Sequence, residues 1–168
     1  SASRAAAHKG RAPLHDRLTM RRTRAEDRCF VQAPPERVFA VLLVVDQYAE
    51  WWPRSFRPSV LSPHGPGSVV QASVAGSKIA CRIASADAPH RVGVEYIAGS
   101  HRGRGEWALT PRGGGTEVIY AFDAEPHGPV ARLLSHFVDF AAIHSQHMKG
   151  VLAGLRQATS EGARLIDT

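Results

Sequence analysis

The spacing of apolar positions changes twice along the chain, from alternation to a helical period and back, and each change marks an element. Residues 28–32 (Arg-Cys-Phe-Val-Gln) read as a short strand closed by Ala33-Pro34-Pro35, where two prolines end any ladder. Apolar side chains then recur at helical spacing as Val38, Phe39, Leu42 and Val45. Pro35 suits the first turn of that helix and Glu36 complements the positive end of its dipole. Asp46 offers a cap for a second short helix over 47–51, which Pro53 stops.

Beyond Phe56 the texture turns to β-rich runs over 57–61, 68–74, 78–86, 91–97, 102–110 and 116–123, separated by Gly, Pro and Asp clusters. Turn signals at intervals of about ten residues predict an antiparallel meander in which each run pairs with the next. Residues 129–160 then read as one long amphipathic helix whose apolar side carries Leu133, Leu134, Phe137, Phe140, Ala141, His144, Met148, Val151, Leu152 and Leu155. Gly150 and Gly154 weaken that helix locally, which suggests close approach to another backbone. The predicted architecture is α+β: seven antiparallel strands, two short helices after the first, and a terminal helix covering the sheet. One helix covers a twisted sheet only partly, so a gap roofed by the short helices is expected, of the concave, mostly apolar kind that takes small molecules.

Composition narrows the function classes. A chain of 168 residues, 43% hydrophobic and 21% charged, suits a single soluble domain. Its longest apolar run, 38–45, is far shorter than the roughly 20 residues that a membrane-spanning helix needs. Two cysteines, Cys29 and Cys81, make no disulfide framework and belong to no metal-binding or redox motif; both are expected as reduced, buried thiols. The net charge of +6 is concentrated in residues 1–28, where eight Lys/Arg face three acidic residues, leaving +1 for the remainder. Without aromatic residues or an apolar stripe, this basic segment reads as a solvated arm rather than a nucleic-acid or membrane-binding element. It has no apolar signal core, so a cytoplasmic location is expected. The expected division is an arm over 1–26, one domain over 27–160 and a tail over 161–168.

Four segments carry a resemblance: Ala33-Pro34-Pro35-Glu36-Arg37-Val38-Phe39, Asp46-Gln47-Tyr48-Ala49-Glu50-Trp51-Trp52-Pro53, Gly105-Glu106-Trp107-Ala108-Leu109-Thr110-Pro111 and Gly115-Thr116-Glu117-Val118. In this order and spacing, over about residues 27–158, the chain resembles the polyketide cyclase/dehydrase branch of the START-like (SRPBCC) superfamily. The resemblance implies a helix-grip fold, a seven-stranded antiparallel sheet wrapped around the long C-terminal helix, with a cavity for a lipid, polyketide or other apolar ligand. Members of that superfamily include aromatase/cyclases acting on carrier-bound polyketides, which would make an acyl carrier protein a partner, and lipid or coenzyme Q carriers. It carries no catalytic motif onto numbered positions of this chain, and no cofactor is expected.

Candidate residues therefore come from pattern. His144, between Phe137, Ala141 and Met148 on the helix's apolar side, is expected to point toward the cavity as a proton donor or acceptor, or else as a hydrogen-bonded core histidine. Strand alternation sets Val92, Val94 and Tyr96 on one face, and Val118, Tyr120 and Phe122 on one face. Tyr96 and Tyr120 then either polarise a ligand carbonyl or simply pack. Trp107, Phe122, Phe137, Phe140, Met148 and Val94 are the expected ligand-lining residues, with packing the plainer role for Trp51, Trp52 and Trp107. His136, Asp139, His144 and His147 complete no metal-binding motif, so no metal is expected. Arg82, Arg102, Arg104, Glu95 and Glu106 read as cross-strand ion pairs on the solvated face. No nucleophile–base arrangement or nucleotide fingerprint is present, which argues against a hydrolase.

Overall fold

The computed structural model describes residues 22–62, 65–74 and 76–164, with the side chains of 161–164 left aside. Residues 1–21 of the expected arm and 165–168 of the expected tail lie outside the described residues.

Strand β1 (Thr23–Val31) leads into α1 (Pro35–Leu43), a 3₁₀ turn (Val45–Gln47), α2 (Tyr48–Trp51) and a second 3₁₀ turn (Arg54–Phe56). Six strands follow: β2 (Ser59–Ser62), β3 (Val69–Val74), β4 (Ser77–Asp87), β5 (Arg91–Ala98), β6 (His101–Arg112) and β7 (Gly115–Pro126). Two helices close the chain, α3 (Pro129–Leu134) and α4 (Phe140–Arg164). The strands form one antiparallel seven-stranded sheet in the order β1-β7-β6-β5-β4-β3-β2, so consecutive strands pair from β2 to β7 and β1 returns to lie beside β7. The expected α+β helix-grip architecture is the one observed.

β1 starts at Thr23, five residues before the expected Arg28, because charge conceals its alternation. Thr23, Ala25, Asp27, Cys29 and Val31 turn inward while Arg24, Glu26, Arg28 and Phe30 are exposed. Prolines at 34 and 35 end the ladder and Pro35 opens α1. The corner is pinned by Thr116, whose buried hydroxyl donates to the Ala33 carbonyl at 2.7 Å. α2 grows straight out of the 3₁₀ turn, so Asp46 lies inside that turn rather than at the start of a separate helix. At the β6–β7 hairpin Gly113 and Gly114 both take positive φ (42° and 85°), the conformation that a two-residue turn requires.

The terminal helix is not continuous. Residues 135–139 form a turn, and α4 restarts beyond it with Asp139 capping the Ala142 amide at 3.0 Å. The break rotates the preceding segment away from the sheet. Leu133 (64% exposed), Leu134 and Phe137 (81% exposed) face outward, contrary to the expected continuous apolar side. α4 itself packs as expected, with Met148, Val151, Leu152 and Leu155 buried. It approaches α2 closely at Gly154, where an added Cβ would stand 1.7 Å from the Trp51 carbonyl oxygen.

Inward side chains fall in rows across the sheet. One row runs Asp27, Tyr120, Trp107, Val92; the next Phe122, Gly105, Val94, Ile83; a third Ala124, Gly103, Tyr96, Cys81, Val70. Glycine at 105 and 103 and alanine at 124 leave space over the middle of the sheet, and the large side chains of neighbouring rows lean into it.

Candidate functional site

A cavity of about 100 Å³ lies between the sheet and α4. Val70, Ile83 and Val94 form its sheet side, Met148 and Val151 its helix side, and Tyr48, Trp52 and Phe56 from the α2 region its roof. These walls are apolar or aromatic, so any polar group that reaches the space acts on a guest in a low-dielectric surrounding.

Polar side chains among the lining supply that polarity. Tyr96 and Tyr120, from β5 and β7, bring their hydroxyls within 2.6 Å of each other, one donating to the other and leaving a single O–H proton for a guest. Burial pushes both phenols well above the usual tyrosine range, so they are neutral donors. Cys81 lines the same space, and burial pushes its thiol up to about 12, which rules out a thiolate nucleophile at neutral pH. Half-buried by surface area, it is less enclosed than a fully packed core thiol. Tyr48 is different: its hydroxyl donates to the Leu42 carbonyl at 2.5 Å and is spent on the fold.

His144 reaches the cavity from α4. Its ring stacks on Phe122 (centroids 4.0 Å apart, planes 17° apart) and lies parallel to Tyr120 at 5.9 Å. Burial, reinforced by His147 and His101, pushes the imidazole down to about 4, so the ring is neutral at pH 7. Its Nδ1 stands 3.8 Å from Asp27 Oδ2, and neither buried atom has a hydrogen-bond partner. With the ring neutral this contact is no ion pair. Asp27 is a residue that sequence reasoning missed. The alternation of β1 puts it on the inward face, but a strand begun at Arg28 leaves it outside the strand, with no face assigned.

A second hollow of about 270 Å³ adjoins the first, sharing Val74, Ile79, Tyr96, His144 and His147 and bounded further by Ser100, His101, Phe122, Phe140 and Ile143. His101 is held there by Ser100 Oγ at 3.1 Å and Thr23 Oγ1 at 3.3 Å, with the Phe140 ring edge-on at 4.8 Å; burial lowers its pKa.

Of the expected residues, Tyr96, Tyr120, His144, Trp107, Met148 and Val94 line the inner cavity, and Phe122 and Phe140 the adjoining hollow. Phe137 is a correction: the turn over 135–139 carries it to the surface, where it borders a separate groove with Arg22 and Asp139. Trp52 lines the cavity as well, and its buried indole N–H lacks a partner. The arginines lie on the opposite face of the sheet, where Arg82 pairs with Glu95, and Arg91 with Glu106 at 3.4 Å. Among the described residues, no three His, Cys, Asp or Glu gather to hold a metal ion, and no helix is long and apolar enough to cross a membrane.

The family described as polyketide cyclase/dehydrase and lipid transport matches residues 6–159. No functionally curated protein matches the sequence. Solved structures similar to this chain include TTHA0849 from Thermus thermophilus, 20% identical over 83% of this chain and 98% of that one, with a TM-score of 0.66. The Zhui aromatase/cyclase from Streptomyces sp. R1128 is 20% identical over 82% of this chain and 94% of its own, with a TM-score of 0.63. A norcoclaurine synthase point mutant from Thalictrum flavum, in complex with a transition-state analogue, is 10% identical over 87% and 99%, with a TM-score of 0.67. At such identities the likeness concerns the fold.

Proposed function

The chain belongs to the polyketide cyclase/dehydrase and lipid transport family, and from that premise we propose that it binds an oxygenated apolar molecule, a polyketide or lipid, between the sheet and α4, and acts on it by proton transfer. The observation that carries this reading is the convergence of a neutral imidazole and a tyrosine pair on one apolar space. The substrate class that this pairing fits is a β-hydroxy carbonyl compound. The free tyrosine proton hydrogen-bonds the carbonyl oxygen and stabilises the enolate that forms when His144 takes the α-proton. The enolate then expels the β-hydroxyl, the carbon–oxygen bond breaks, and the imidazolium returns its proton to the departing oxygen as water. So depressed an imidazole gives up its proton readily, which suits the second half of the step. For cyclisation, the cavity walls would hold the chain folded so that enolate and electrophile meet.

A non-catalytic carrier is the second reading, favoured by the apolar walls and by a tyrosine pair already satisfied in part by its own hydrogen bond. An interaction module using the basic arm is the third, and it turns on residues outside the described part.

Native mass spectrometry of protein from its own host is expected to show a co-purified apolar ligand and so name the substrate class. With that substrate, His144→Phe lowers turnover at least about a hundredfold while ligand binding persists. Full turnover in the variant removes His144 from the mechanism; binding without turnover in the wild type leaves the carrier; no apolar ligand bound under any condition sinks both.

A further inference from the structure

Asp27 and His144 present the inward face of β1 and the cavity side of α4 with complementary atoms that nothing else satisfies. The carboxylate oxygen Oδ2 and the ring nitrogen Nδ1 are 3.8 Å apart, both inaccessible to solvent and both without a hydrogen-bond partner. A buried polar atom without a hydrogen-bond partner is destabilising, and here two such atoms face each other. Closing the gap by about 1 Å gives an ordinary N–H···O distance. Hydrogen bonds within catalytic groups are often long before the substrate arrives and tighten in its complex.

We propose that Asp27 is the positioning residue for His144: its carboxylate accepts a hydrogen bond from Nδ1–H, fixes that tautomer, and leaves the Nε2 lone pair as the proton acceptor toward the cavity. The inference rests on the proton-transfer reading above for its purpose, though not for its geometry. Three features of the surroundings support it. Stacking between His144, Phe122 and Tyr120 fixes the plane of the ring, so what remains to be set is which nitrogen carries the proton. Asp27 lies opposite Tyr120 in the β1–β7 register, which anchors the carboxylate to the strand that also delivers the tyrosine hydroxyl. The other titratable groups near the ring, His101, His147 and Tyr120, lie on the cavity or mouth side and line one or both hollows, whereas Asp27 lines neither. A carboxylate behind the imidazole thus leaves its front free, and substrate contact with Asp27 itself is not required.

The test needs no substrate. In the full-length, ligand-free protein at neutral pH, nitrogen–proton correlation spectra of the imidazole side chains report which nitrogen of His144 is protonated. The expected result is a protonated Nδ1 and a bare Nε2. Asp27→Asn, nearly the same shape, has an amide that donates to Nδ1 and is expected to switch the ring to Nε2–H, as a purely structural role would not. A wild-type Nε2–H tautomer overturns the proposal, and so does an unchanged Nδ1–H tautomer in Asp27→Asn. Should that variant fail to fold, the wild-type spectrum still decides. Once a substrate is known, Asp27→Asn should lower kcat by about a hundredfold, the scale of a 1 Å misplacement, with KM unchanged; a raised KM at unchanged kcat refutes the role. Absence of any turnover in the wild type counts against the proton-transfer reading alone, because the tautomer is measured without it.

Discussion

The hydroxyls of Tyr96 and Tyr120 meet 2.6 Å apart above Gly105, which occupies the strand and the row between them. An added Cβ at 105 would stand 2.0 Å from the Tyr120 hydroxyl oxygen, so glycine there is what lets the two phenols touch. Gly105→Ala is expected to displace Tyr120, break the pair and cost about 1–3 kcal/mol of stability, the usual range for overpacking. Urea denaturation measures the loss. Wild-type stability with the pair intact, as seen by crystallography, would contradict the account.

The buried His144 makes stability depend on pH in a defined window. Its folded pKa of about 4 lies below the ordinary 6.5, so between those values the unfolded chain binds a proton that the folded chain refuses. Stability is therefore unaffected by this group above pH 6.5, falls as the pH drops toward 4, and levels off below, a loss of about 3 kcal/mol. His144→Phe removes that component. Comparing urea midpoints of wild type and variant at pH 7 and pH 4.5 isolates it from His101, whose pKa is also lowered and remains in both proteins. Parallel pH profiles would show that the ring is not held neutral by burial.

Gly154 and Gly150 should respond differently to alanine. At 154 the new methyl meets the Trp51 carbonyl, backbone that cannot yield without moving α2, and outweighs the gain of about 1 kcal/mol in helix propensity. At 150 it meets the Pro53 ring at 2.8 Å, a contact that a small shift relieves. Gly154→Ala is expected to lower stability by about 1–3 kcal/mol and Gly150→Ala by much less. Equal effects would mean that the two helices do not pack as described.

The break before α4 separates apolar residues of identical character into two groups. Phe137→Ser and Leu133→Ser, on exposed side chains, are expected to change stability by less than about 0.5 kcal/mol, whereas Met148→Ala, in the buried set, costs about 2–5 kcal/mol. A large loss at Phe137 would restore the continuous helix.

Local pattern set the order and type of the elements, except for the break before α4 and the early start of β1. Alternation at 91–97 and 116–123 correctly set Tyr96 and Tyr120 inward, and the helical period placed His144 and Met148 against the sheet, because each depends only on residues a few positions apart. Three features were beyond it. Whether Phe137 is buried depends on a turn at 135–139, and an apolar side chain has the same period whether or not something packs on it. Asp27 became part of the site through the pairing of β1 with β7 and the packing of α4 across both, contacts more than ninety residues apart in the chain. The closeness of Tyr96 and Tyr120 depends on Gly105 in a third strand. A side chain's face follows from its immediate neighbours, but what it meets follows from register and packing, which bring together residues that no local period relates.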